Sequence, residues 1–284
     1  MKVFYNQKCT WVLAMLLIWS SSVFSMDVES QDEEFIVEFY SIPSPDEILT
    51  YIHNSEIQFT PRLLNDVRKS DSYNTFRDRL LAYGFYLANL AYSISFEQNH
   101  TGLQYFNTVD EMGRQLNIFP PEVEELGHRL MRNMNQMDSL NLIYDELYLL
   151  VIANLHDTDR FGEYALISAG GFVESLYLAL NSDGSKIHDD GFRMRVWDQK
   201  MIMDQLVVMF NRHLNEPVRK AMLNDMEGLI DAFNEFTIET ESPKVAGTSN
   251  GVITIGGGRA TGSTVNSIRR IHEEVNKLRG KWVN

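Results

Sequence analysis

Glu174 is the residue of this chain whose setting most invites chemistry. It is the only charged side chain in the run Leu166 to Leu180, LISAGGFVESLYLAL. A carboxylate withdrawn from water must be paired, hydrogen-bonded or protonated, because stripping its hydration is costly. Asn89 occupies a similar place as the only strongly polar side chain from Leu80 to Tyr92. If the two stretches pack together, Asn89, Tyr86, Tyr92 and Tyr177 surround Glu174. Such a cluster has two uses. It can line a ligand pocket, with Glu174, Asn89, Tyr86, Tyr92 and Tyr177 as the binding residues. It can also be a satisfied core network that fixes helix register, and that is the commoner use.

Other patterns point to chemistry less well. Glu97 with His100 and Glu125 with His128 form two E-x-x-H pairs. A di-iron carboxylate bundle uses two such pairs plus two more glutamates, all facing inward. The first pair falls at an expected turn. The second contains Gly127 and has Glu124, Glu125 and Arg129 on what reads as a wet face. No metal site is therefore assigned. Gly256 to Thr264, GGGRATGST, has the glycine spacing of a phosphate loop, but Ser263 stands where the lysine should be. No alternating strand–helix pattern precedes it, so it reads as a flexible linker leading into a capped helix. Asp157-x-Asp159 opens like a calcium loop, but Phe161 takes a ligand position and the twelfth place has no acid. No G-x-S-x-G appears. No catalytic residue, metal or cofactor is expected.

The elements that would position Glu174 and Asn89 are two helices rich in small residues and aromatics. One carries Ala82, Gly84, Ala88 and Ala91 among Tyr83, Phe85, Tyr86 and Tyr92. The other carries Ala169, Gly170, Gly171, Ser175 and Ala179 around Phe172 and Tyr177. Small residues let helix backbones approach closely, and these two helices are expected to form the centre of one core. The longer helix should start at Asp71 or Ser72 and end near Glu97, with Asn99 to Gly102 as the turn into a helix from Leu103 to Leu116. Phe119-Pro120-Pro121 then breaks the chain. Further helices are expected from Pro121, over Ser139–Leu155, after Asp159, over Phe192–His213 and from Glu216 to about Phe236. Met194, Met201 and Met209 should share one packed face with Trp197, Ile202 and Leu206. A last helix, Thr264–Lys281, carries Val265, Ile268, Ile271, Val275 and Leu278 on one stripe. Short connections make neighbours antiparallel. The expected fold is all-α, an irregular bundle of about ten helices in stacked hairpins, loosely like a tetratricopeptide array without its fixed period.

Met1 to Ser25 reads as a secretory signal peptide. Lys2 and Lys8 precede a short apolar run, Trp11 to Trp19, and Val23-x-Ser25 suits cleavage. Residues 26–43 form an acidic leader, 44–238 the helical domain, 239–263 a Gly/Ser/Thr-rich loop with a possible strand at Val252–Ile255, and 264–284 the terminal helix. The only cysteine, Cys9, lies before the apolar run, so the mature chain has neither disulfides nor a lipid-acceptor cysteine. No mature segment is apolar enough to span a bilayer. The net charge is −14, becoming −16 without Lys2 and Lys8, which argues against a nucleic-acid partner.

Ser44-Pro45-Asp46-Glu47, Leu63-Leu64-Asn65, Tyr83 to Tyr92 and Gly170 to Ala179 resemble a family of bacterial exported helical proteins. So does Leu278-Arg279-x-x-Trp282-Val283. Many members are lipoproteins of the outer envelope. The resemblance implies export and a helical fold, and supplies no catalytic residues. The sequence departs from it in the missing lipidation cysteine and in the Gly-rich insert. Expected function follows in three forms: non-enzymatic binding or scaffolding in the cell envelope, periplasmic or at the outer envelope; small-molecule binding in a Tyr-lined pocket around Glu174; or, last, a di-iron enzyme.

Overall fold

The computed structural model describes residues 46–55, 57–120, 123–133, 137–235, 239–240, 245–249, 252–255, 260–261 and 265–283. The chain divides into two compact units, Met1–Tyr40 and Ser41–Asn284, and every described residue belongs to the second. The expected signal peptide, the acidic leader and the Ser44-Pro45 helix start lie outside the described residues.

The fold is an all-α bundle. Its helices are α1 (Asp46–Asn54), α2 (Phe76–Ser95), α3 (Asn99–Leu116), α4 (Val123–Asn133) and α5 (Met137–Asp157). They continue with α6 (Phe161–Ser182), α7 (Asp190–His213), α8 (Glu216–Asn234) and α9 (Val265–Val283). Short 3₁₀ turns cover Pro61–Leu63, Val67–Ser72 and Gly184–His188. Between α8 and α9, β1 (Glu239–Thr240) pairs antiparallel with β4 (Ala260–Thr261), and β2 (Val245–Ser249) pairs antiparallel with β3 (Val252–Ile255). The expected strand at Val252–Ile255 is β3.

α2 and α6 form the centre, as their small residues imply. They share the most extensive helix contact among the described residues, and Leu80 to Ile94 of α2 is buried without a break. A helix buried all round cannot show a one-sided apolar stripe. Glycine sets the spacing. A Cβ on Gly84 would lie 2.1 Å from the Ile167 carbonyl oxygen, and one on Gly170 would lie 2.1 Å from that of Leu81. The two helices therefore touch backbone to backbone, each through the other's glycine. α3 packs on α2, α7 packs on α6, and α9 lies against α8, α6 and α2.

Several sequence expectations need correction. The chain does not enter α2 at Asp71 or Ser72. Asp66 caps the Val67–Ser72 turn by accepting from the Arg68 N–H, and Thr75 then caps α2 by accepting from the Asp78 N–H. The turn after α2 is not Asn99–Gly102. It is Phe96–Gln98, with Glu97 left-handed at φ 58°, and Asn99 already begins α3. α7 begins before the expected Phe192: Asp189 caps it through the Phe192 N–H, and Asp190, its first residue, pairs with Arg193. The methionine face of α7 is not a single one. Met209, Ile202 and Leu206 are buried with Met203, while Met201 is more than half exposed. Met201 precedes the buried Ile202 by one residue, a rotation of about 100° around the helix.

Candidate functional site

Four elements converge on Glu174. It comes from the middle of α6, Asn89 from the middle of α2, and Asn65 from the loop between the first two 3₁₀ turns. Arg279 comes from the last turns of α9. Among the described residues, Glu174 is the one charged residue in the buried core, fully enclosed at 0 % exposure. Its Oε2 accepts from Arg279 Nε at 2.7 Å. Its Oε1 accepts from Asn65 Nδ2 and Asn89 Nδ2, both at 2.8 Å, and from Arg279 Nη2 at 3.2 Å.

The surrounding bonds fix both amides. Asn89 Oδ1 accepts from the Asn65 backbone N–H at 2.7 Å and from Asn65 Nδ2 at 3.1 Å. Asn65 Oδ1 accepts from Arg279 Nη2 at 2.9 Å. The Asn65 carbonyl accepts from the Tyr105 hydroxyl at 2.6 Å. Arg279 also reaches the Leu63 carbonyl at 3.3 Å, and its guanidinium lies 3.8 Å above the Tyr177 ring. Burial works against the Arg279 charge, but the Glu174 carboxylate outweighs it and holds the guanidinium pKa above its ordinary value. A planar fork meeting a carboxylate, with two amides donating to the same carboxylate, is the arrangement that offsets the desolvation of a buried ion pair.

The five residues expected as ligand-binding are thus placed unequally. Glu174 and Asn89 meet directly, and Tyr177 joins them through Arg279. Tyr86 donates to the Asp66 carbonyl at 2.8 Å, which anchors the same loop from outside the network. Tyr92 points to another seam, where its hydroxyl meets Ser182 Oγ at 3.2 Å and accepts from the Thr60 N–H at 3.1 Å. Tyr73 was not expected. Its hydroxyl is buried near that of Tyr86 but outside hydrogen-bond geometry, and burial followed by the Glu174 charge pushes its pKa up to about 12. Burial also raises Tyr86 and Tyr105.

Sequence reading missed Asn65 and Arg279. Arg279 had a usable signal: it follows Val275 by four residues and precedes Trp282 by three, so helical spacing puts it on the apolar stripe. A cation on a buried stripe demands an anion opposite. Asn65 had none, since its role comes from a loop folding back over α2.

A second polar chain ties α9 to α6. Asn276 Nδ2 donates to the His272 carbonyl, which orients its amide, and Asn276 Oδ1 then accepts from Asn181 Nδ2 at 3.3 Å. This leaves Asn181 Oδ1 facing His272 Nε2 at 2.9 Å, so that ring nitrogen carries the hydrogen. Burial pushes the His272 pKa below 6.5, and Glu273 only partly opposes it. The folded state therefore favours the neutral ring. Its stabilising contribution is complete above the unfolded value and is lost as pH falls through the lower folded value. Stability measured in denaturant should decline as pH drops below about 7, and His272→Gln should flatten that decline. An unchanged slope in the variant would contradict this role for the ring.

The E-x-x-H pairs are not assembled into a centre. Glu97 sits in the left-handed turn, and Glu125 pairs with Arg132. Among the described residues no group of three or more His, Cys, Asp or Glu is placed to hold a metal ion. Likewise no described helix is long and apolar enough to cross a membrane. Comparison with protein-family models, with characterised proteins and with solved structures returns no match for this chain.

Proposed function

We propose that this is an exported, non-enzymatic helical protein that works by binding another protein in the cell envelope. The supporting observation is two pairs of exposed apolar side chains. On α5, Leu142 and Leu149 are 64 % and 51 % exposed, and on α7, Met201 and Val208 are 58 % and 41 % exposed. Each pair is seven residues apart, which is two helical turns on one side of a helix. Apolar anchors spaced by whole helical turns are one form of helix-mediated recognition. The export half of the proposal rests on the signal-like N-terminus.

The non-enzymatic half is supported by Glu174. Its Oε1 accepts from Asn65, Asn89 and Arg279, its Oε2 accepts from Arg279, and the side chain is fully enclosed, so a substrate in solvent does not reach it. A ligand entering there would first have to displace Arg279.

The test has two arms. N-terminal sequencing of the mature protein should begin near Met26. Photo-crosslinkers at Leu149 and Met201 should capture one envelope protein, and Leu142→Asp and Val208→Asp should abolish capture by the Leu149 and the Met201 probe respectively, with the melting temperature unchanged. A mature protein that retains Met1, or capture indifferent to the aspartates, would refute the corresponding half.

A further inference from the structure

A second small cavity lies where the start of α2, α8 and the end of α9 meet. It has a volume of 210 Å³ and is lined by Ser72, Tyr73, Asn74, Arg77, Asp78, Asp225 and Lys281 to Val283. It uses none of the apolar residues of α5 and α7, and none of the network around Glu174. We propose that it binds a neutral polyol of single-sugar-ring size.

Size sets the first limit. Clefts for drug-sized ligands run to about 300–1,000 Å³. This one is smaller and suits a compact molecule.

Charge sets the second. The cations and anions of the wall already neutralise each other. Arg77 donates to Asp78 Oδ1 through Nε at 3.0 Å and Nη2 at 2.8 Å. Asp225, with a side chain only 8 % exposed, accepts from Lys281 and, at 3.0 Å, from the Trp282 indole N–H. A charged ligand would have to break one of these pairs. A hydroxyl does not, because it donates and accepts at once.

The polar groups of the wall fit that description. Beside these ion pairs the wall carries the Asn74 amide, Arg77 Nη1 and Asp78 Oδ2, which take part in neither pair. Each Asp225 oxygen accepts a single bond. Donors and acceptors thus stand side by side around a rigid floor. Trp282 is buried and stacked against Phe85, with ring centroids 6.4 Å apart. The floor is therefore the packed end of α9, and a ligand bridging Arg77, Asn74 and Asp225 would fasten α9 to α2 and α8.

Isothermal titration of the full chain with D-glucose, D-galactose and their methyl glycosides tests this, with L-alanine and acetate as the zwitterionic and anionic comparisons. At least one polyol should bind saturably with a millimolar or better Kd. The free sugars and glycosides distinguish a free monosaccharide from the end residue of a glycan. Asn74→Ala, an exposed change, and Arg77→Met should each weaken binding about tenfold, the effect of losing one hydrogen bond to a charged or fixed polar group. No saturable polyol binding up to about 10 mM, or tighter binding of alanine or acetate than of every polyol, would overturn the proposal. So would affinity unchanged in both variants. The α5 and α7 cross-linking result is separate, so either proposal can fail while the other stands.

Discussion

Arg279→Met should destabilise the protein by about 3–5 kcal/mol, read from urea unfolding, because it leaves a buried carboxylate without its cation. Glu174→Gln should cost a similar amount, since Arg279 is then the uncompensated charge and its side chain is only 15 % exposed. The two losses should not add. In Glu174→Gln with Arg279→Met no net charge is left inside, so the double variant should be more stable than the sum of the singles implies, by about 1–3 kcal/mol. Additivity would mean that the two side chains do not act on each other in solution. The experiment also separates the two readings of Glu174 raised by the sequence. A ligand-facing carboxylate is held at a cost in stability, so removing it should leave the fold unharmed or firmer. A register-fixing carboxylate is missed at once. The bonds from Asn65, Asn89 and Arg279 to the same two oxygens favour the second outcome.

What the sequence showed of this arrangement depended on whether the cause was local. α2 and α6 were legible because small residues and aromatics recur within one helix turn. Glu174 was legible because one charge in an apolar run is anomalous wherever that run sits. Its partners were not, because Asn65 and Arg279 lie 109 and 105 residues away from it in the chain. The expected ring of phenols was the nearest polar material in the same two helices. The structure instead brings in a loop amide and a guanidinium, and leaves Tyr86 and Tyr92 to bond elsewhere. The helix starts went wrong for a similar reason. Asp66 and Thr75 both cap, so the chain makes a 3₁₀ turn before α2, and the helix does not start at Asp71 or Ser72. The hairpin of β2 and β3 had a signal that composition hid. Their register ends at Ser249 opposite Val252. The sequence between these two strands is Asn250-Gly251, a dipeptide that favours hairpins.

The second large effect is expected at the glycines of the central contact. Gly84→Ala and Gly170→Ala should each destabilise by about 3 kcal/mol, the upper part of the usual range for overpacking. The reason is what the added methyl meets. At Gly84 it would lie 2.1 Å from the Ile167 carbonyl oxygen and 2.5 Å from the Gly171 nitrogen, and at Gly170 it would lie 2.1 Å from the Leu81 carbonyl oxygen. All are backbone atoms inside helices, so no flexible side-chain end can swing aside, and α2 and α6 must separate. Separation would also stretch the bonds from Asn89 of α2 to Glu174 of α6. Gly102→Ala is the control. Its methyl would meet Ile94 Cγ1 at 3.7 Å, an ordinary contact, within helix α3. Replacing glycine by alanine in a helix gains up to about 1 kcal/mol when nothing clashes, so this variant should be as stable as the parent or more so. The comparison separates packing from propensity, because all three changes favour helix equally. If Gly84→Ala and Gly170→Ala behave like Gly102→Ala, the two helices are not in backbone contact, and the enclosure of Glu174 between them loses its cause.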